Sequence, residues 1–258
     1  MPAGRWLARI AGLALLLLGS PLVAAIFDHD DRVTMPADPS SAYAPIGMVW
    51  GDKLATGFLV DECHVLTVQH AFGEDKSPVG REVVFGALIT DAEHWTWSWG
   101  TVIAAGGLER RSSDYDKARA ADWALLRLRQ CLGATLGYLR LASADPAQLP
   151  ELESAGYPSD RTWANGITLD PACRFRGARG PVWLNDCAAL TGNSGSPIFA
   201  GKAGGRLEVY AMQSAAYELA DHDLPFDRGY ANVATPMAQI LPHIRKLIKP
   251  AGGNYSRS

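Results

Sequence analysis

The chain has 258 residues, a formal charge of −3 and 48% hydrophobic residues, enough for one large all-β unit or two smaller units with cores of their own. Mild acidity without a basic block argues against nucleic acid as a partner. Long repeats, heptads and low-complexity tracts are absent from the sequence.

Residues 1–25 read as a signal peptide. Arg5 and Arg9 lead into "IAGLALLLLGSPLVAA", a short apolar run closed by small residues, with Val23 and Ala25 at the −3 and −1 positions of a cleavage site. Gly19 and Pro21 interrupt the run too early for a comfortable membrane span; an uncleaved anchor is the other reading. Cleavage after Ala25 leaves 233 residues from Ile26 and removes two arginines, so the charge becomes −5.

Beyond that point come short apolar runs bounded by Gly, Pro, Asp or Asn: "PIGMVW", "TGFLVD", "HVLTVQ", "EVVFGAL", "TWSWGTVIAA" and "WALLRLR" in the first half. "ITLDPACRFRG", "GPVWLN", "SPIFA", "LEVYAMQSA" and "GYANVAT" follow in the second. This rhythm predicts many short antiparallel strands, hence a barrel or sandwich. Leu108 to Ala121, rich in charge, reads as an exposed connection, and a soft boundary falls at Gly133 to Gly137. Near the end, Met237, Ile240, Leu241, Ile244, Leu247 and Ile248 recur at helical spacing, with Thr235 as cap, Pro236 as first residue and Pro242 as a disturbance. Cys63, Cys131, Cys173 and Cys187 are an even set without a Cys-x-x-Cys pair; two disulfides are the default reading of an exported chain, and four buried thiols the alternative.

Three stretches carry chemistry. "TGNSGSPIF" (Thr191 to Phe199) flanks a serine with glycines, as a bent loop around a nucleophile needs and as an ordinary turn also shows. A serine hydroxyl requires a base, and the base an orienting group. His70 ends the strand-like run "HVLTVQHAF", where a strand can deliver an imidazole to a rim; Asp122 opens "DWALLRLR", where burying a carboxylate is costly unless hydrogen-bond donors meet it. Each residue alone reads equally well as structural. Together "TVQHAF", "DWALLRL" and "GNSGSP" stand in order, 52 and then 72 residues apart.

In that order the motifs resemble the trypsin/chymotrypsin-like serine endopeptidases, and within them the bacterial glutamyl-endopeptidase-like branch, on "GNSGSP", "TGFLV…CHVLT…H" and the mature start "IFDHDDR". The resemblance implies an all-β fold of two six-stranded antiparallel β-barrels packed face to face, residues 26–135 and 136–235, with residues 236–258 as C-terminal helix and tail. It implies His70 as general base, Asp122 as its orienting carboxylate and Ser194 as nucleophile, with Ser196 the competing hydroxyl. The Gly192 and Ser194 amides would form the oxyanion hole, and Ser214 would give its hydroxyl to Asp122. Ala189, Thr191, Gln213, Ser214, Ala215 and Ala216 fall where the family binds substrate. If the strands carrying His70 and Asp122 are antiparallel neighbours, as in the family fold, Cys63–Cys131 joins their far ends. Cys173–Cys187 then closes the loop ahead of Ser194.

The resemblance implies no cofactor, no metal, a protein or peptide substrate and a monomer. It also implies a periplasmic or extracellular location without membrane association once the leader is removed. Its departures matter as well. Asn193 carries no charge to pair with a new amino terminus, so an animal-type zymogen switch is not expected. Gln213 stands where glutamyl endopeptidases carry histidine, Ala189 where they often carry Thr or Ser, and Ala188 where trypsin has its acid. With Gln213 and Thr191 as donors and no formal charge, the sequence predicts an uncharged residue of small to medium size, glutamine included, before the cleaved bond (the P1 residue). His222 is the reserve cation. The rival readings are a catalytically silent protease-like binding protein or toxin, and an unrelated β-sandwich.

Overall fold

The computed structural model describes residues 24–73, 77–90, 94–107, 113–149, 151–161, 166–202, 206–216 and 224–248. Two short strands come first, β1 (Ala24–Ala25) and β2 (Val33–Met35). The apolar runs of the first half then become β3 (Ile46–Trp50), β4 (Leu54–Leu59), β5 (His64–Thr67), β6 (Glu82–Ala87), β7 (Thr96–Ala105) and β8 (Ala124–Leu128). They pair antiparallel in the order β3-β4-β5-β8-β7-β6, and β6 returns to β3 to close a barrel without free edges. Ile46, Met48, Phe58, Leu59, Leu66, Phe85, Leu125 and Leu126 on its strands are all fully buried, on the inner or the outer face of the barrel wall. Burial of such side chains, at about 1.5–3 kcal/mol each, is the main force holding the barrel.

The second half builds a nine-stranded sheet. After α2 (Gly133–Leu136) come β9 (Arg140–Leu141), β10 (Leu152–Gly156), β11 (Ile167–Cys173), β12 (Phe175–Arg179), β13 (Val182–Asn185), β14 (Ala189–Leu190), β15 (Pro197–Lys202), β16 (Arg206–Ala215) and β17 (Asn232–Pro236). The order is β12-β13-β17-β16-β15-β10-β11-β2, with β9 parallel to β16, while β14 pairs only with β1. The fold is all-β, a closed barrel followed by a second sheet, with a C-terminal helix whose Met237, Ile240, Leu241 and Ile244 pack into the largest core cluster, which draws on both.

Several details refine the sequence reading. Within the stretch read as an exposed connection, Tyr115–Ala120 form a short helix without buried residues, α1, which Asp114 caps by accepting the Lys117 amide at 3.1 Å; residues 108–112 lie outside the described residues. The Gly133–Gly137 stretch holds α2, which Gly137 ends at φ +77°. The closing helix, α3, spans Met237–Ile244 with Pro236 as its cap and Thr235 still in β17. Leu247 lies past its end and is exposed, since the helix stops two residues after Pro242. Both cysteine pairs, Cys63–Cys131 and Cys173–Cys187, are bonded as the family fold implies. Among the described residues no helix is long and apolar enough to cross a membrane.

Candidate active site

His70 does not sit on β5 itself. The strand ends at Thr67, and a single tight turn, Gln69–Phe72, carries the imidazole out to a partly exposed position, while the neighbouring Gln69, Ala71 and Phe72 stay buried. Asp122 lies in the turn between α1 and β8, and its side chain is completely buried. β5 and β8 are antiparallel neighbours with Thr67 opposite Ala124, which brings the two residues together.

Asp122 gathers four donors. His70 Nδ1 lies 2.7 Å from Oδ2, the His70 amide donates to Oδ1 at 3.0 Å, Ser214 Oγ donates to Oδ2 at 2.7 Å, and Arg119 approaches Oδ2 at 3.3 Å. Burial opposes ionisation most strongly, yet the His70 interactions, the Arg119 charge and the Ser214 hydroxyl outweigh it and hold the carboxyl below the ordinary aspartate range. Ser214 reaches it because the β16–β17 register slips between Gln213 and Ala215, a bulge that takes Ser214 out of the ladder. Arg119 was not legible as part of the site, since α1 reads as a solvated stretch; Thr235 Oγ1 fixes it further by donating to the Arg119 carbonyl at 2.7 Å.

The Ser194 loop is held peptide by peptide. The Thr191 carbonyl accepts from the Ser159 amide (2.8 Å), the Gly192 carbonyl from Thr56 Oγ1 (2.7 Å), the Asn193 carbonyl from the Ser196 amide (2.8 Å) and the Ser194 carbonyl from the Thr56 amide (2.8 Å). In a trans peptide the following N–H points opposite its carbonyl, so these anchors also aim the amides. The Asn193 amide meets the Leu190 carbonyl at 2.9 Å and the Gly195 amide the Gln213 carbonyl at 2.8 Å. The Gly192 and Ser194 amides, pointing away from Ser159 and Ser196, meet no acceptor among the described residues. Gly192 and Gly195 take φ of +96° and +89°, and a Cβ at either would collide with the Tyr157 or Thr56 carbonyl. Ser194 is partly exposed, whereas Ser196 is fully buried.

Thr56 on β4 is the residue the sequence did not single out. It is fully buried and joins the barrel to the loop by two hydrogen bonds, to the Gly192 and Ser194 carbonyls, while its Oγ1 accepts a third from the Tyr157 amide, just after β10, at 3.1 Å. Thr67 Oγ1 in turn donates to the Thr56 carbonyl at 2.7 Å, so the strand leading to His70 and the loop bearing Ser194 share one anchor.

Around this centre, Ala189 and Leu190 are buried, Thr191 is exposed, and Gln213 is 2% exposed. Ala215 and Ala216 are half-buried at the end of β16. Asn193 satisfies itself locally, accepting from the Leu190 amide through Oδ1 (3.2 Å) and reaching Ser196 Oγ through Nδ2 (3.4 Å). Behind the 188–190 segment, Asp170 accepts the Ala188 amide at 2.6 Å, and burial raises its pKa. Ile26 packs on Leu190 and Ala188, next to the Ala24–Ala25 backbone that pairs with β14. His222 lies outside the described residues.

The sequence model of the trypsin-like peptidase domain matches residues 55–207. The chain belongs to that family of peptidases. Its fold is similar to that of a Glu endopeptidase solved in complex with MPD, with a TM-score of 0.64 at 17% identity over 86% of this chain and 98% of that one. It is also similar to the protease Anisep from Arthrobacter nicotinovorans, with a TM-score of 0.56 at 16% identity over 79% of this chain and 94% of that one. No curated protein matches the sequence.

Proposed function

We propose that the chain is an exported serine endopeptidase that cleaves proteins or peptides through an acyl-enzyme, in which Ser194 attacks, His70 is the general base and Asp122 orients it. The observation that carries this reading is the loop around Ser194. Every carbonyl from Thr191 to Ser194 is tied down, and the Gly192 and Ser194 amides, on either side of Asn193, meet no acceptor among the described residues. Two fixed donors flanking a half-exposed hydroxyl are what an acyl-transfer transition state requires, each worth about 3–4 kcal/mol of barrier.

Asp122 accepts at His70 Nδ1, which leaves the Nε2 lone pair free to take a proton. In the proposed reaction Ser194 Oγ bonds to the substrate carbonyl carbon while its proton passes to His70 Nε2. The carbonyl electrons become an oxyanion facing the two amides. Asp122 stabilises the imidazolium without itself being protonated. Collapse expels the amine, which takes the proton from His70, and water repeats the sequence on the ester. Substrate backbone would pair beside Ala215 and Ala216 as an added strand, with its P1 side chain between Ala189–Thr191 and Gln213. The two units of the enzyme would be residues 26–135 and 136–235. The leader and the two disulfides support a life outside the cytoplasm.

A serine-directed fluorophosphonate tests the assignment, because an unactivated hydroxyl does not react with it. Label on Ser194, with both label and hydrolysis lost in Ser194→Ala while thermal unfolding is unchanged, is the expected result. Label on Ser196, or an active Ser194→Ala protein, refutes it.

A further inference from the structure

We infer that the peptidase selects a side-chain amide, glutamine or asparagine, at P1, and that Gln213 does the selecting by presenting a buried hydrogen-bond acceptor. The inference rests on the reading of Ser194 as nucleophile given above and names the substrate class of that site.

Gln213 is seated directly against the Ser194 loop: its carbonyl accepts the Gly195 amide at 2.8 Å and its own amide donates to the Ser196 carbonyl at 2.9 Å. Its side chain turns along the strand, and Nε2 donates to the Ala215 carbonyl at 2.9 Å. A carbonyl can only accept, so this contact fixes which end of the amide is nitrogen. Oε1 is then turned the other way, and among the described residues it is buried without a donor. The sequence offered Gln213 as a donor to the substrate; within the fold one of its two N–H groups is spent on Ala215, and the polar atom left without any partner is the acceptor Oε1.

A buried acceptor without a partner is costly, and a native site that keeps one calls for a donor from outside the chain. A P1 glutamine or asparagine supplies uncharged N–H groups to Oε1. Glutamate or aspartate brings only acceptors to an acceptor, with no cation in the 188–191 and 213–216 segments to offset the charge. Lysine or arginine can donate but would leave its charge unpaired: Asp122 is occupied by His70, Ser214 and Arg119, and Asp170 by the Ala188 and Ala172 amides. Leucine leaves Oε1 as it was. One net hydrogen bond, made by a side-chain amide and not by leucine, amounts to about a tenfold preference.

The test uses the processed protein, a peptide library randomised around the cleaved bond, and a matched series varying only P1 among Gln, Asn, Glu, Lys and Leu. The expected kcat/KM for Gln exceeds that for Glu by about 100-fold and that for Leu by about tenfold. In Gln213→Met, which keeps the volume and removes the acceptor, the Gln-over-Leu ratio falls to about one. If neither hydrolysis nor fluorophosphonate labelling of Ser194 occurs, the peptidase reading itself fails. If the protein is labelled but cleaves no library member, or cleaves after Glu, Lys or Leu as well as after Gln, the inference fails and the peptidase reading stands. A Gln preference that survives in Gln213→Met also overturns it. Thermal unfolding reports whether that variant folds, and where it does not, the wild-type series alone decides.

Discussion

Ser214→Ala removes one donor from a carboxylate that has no access to water. The Ser214 hydroxyl donates to Asp122 Oδ2 at 2.7 Å, and Asp122 is fully buried. A hydrogen bond to a charged, buried acceptor contributes about 1.5–3 kcal/mol. Asp122 keeps the His70 amide, the His70 ring and Arg119, so the lower part of that range, about 2 kcal/mol, is expected at neutral pH. With a urea slope of about 2 kcal/mol per molar, the unfolding midpoint falls by about 1 M.

The sign of the pH dependence follows from the direction of the shift. Asp122 is held below its unfolded value, so its stabilisation is complete above that value and is lost as pH falls through the folded one. Ser214 donates to the ionised form, and the stability gap between wild type and Ser214→Ala should therefore be widest at neutral pH and close on acidification. Urea titrations followed by tryptophan fluorescence at pH 7, 5 and 3, with disulfides intact, measure it. A gap below about 0.5 kcal/mol at pH 7, or one that widens in acid, refutes the reasoning, because either means that the hydroxyl does not stabilise the charge.

Asp122→Asn should lower kcat by about 10⁴ through the wrong imidazole tautomer while leaving the backbone in place, and a loss under tenfold assigns the orienting role to another group. Thr56→Val, nearly isosteric, strands the Gly192 carbonyl and the Tyr157 amide, so unfolding should cost about 2 kcal/mol less and kcat should fall more than KM rises; denaturation and steady-state kinetics on one preparation separate the two effects. Replacing Cys173 and Cys187 together by serine opens a loop of sequence separation 14 and should destabilise the protein by about 3 kcal/mol, read from the urea midpoint.

What was legible in the sequence is what local pattern encodes. Short apolar runs became strands, and His70, Asp122 and Ser194 each stood in a string whose residue types suit their place. The structure brings His70, Asp122 and Ser214 into one hydrogen-bonded group. What was not legible depends on partners far along the chain. The pattern "GNSGSP" marks where two amides could face a substrate, but their orientation comes from Thr56, Ser159, Leu190 and Gln213, which tie down the neighbouring carbonyls and N–H groups from both halves of the fold. A threonine in "TGFLV" looks like any strand residue until the β4–β5 pairing and the loop meet at it. Arg119 was hidden for the same reason, because a charged six-residue helix reads as solvated surface and only the turn into Asp122 points its guanidinium inward. Gln213 goes one step further: the sequence offers it as a donor, whereas the fold leaves its acceptor Oε1 without a partner among the described residues. The orientation of that amide is set by the Ala215 carbonyl two residues on, next to the bulge at Ser214. In the proposed enzyme, the bulge that delivers Ser214 to Asp122 would also orient the Gln213 amide, and so would couple the placing of the base to the choice of substrate through one irregular residue of β16.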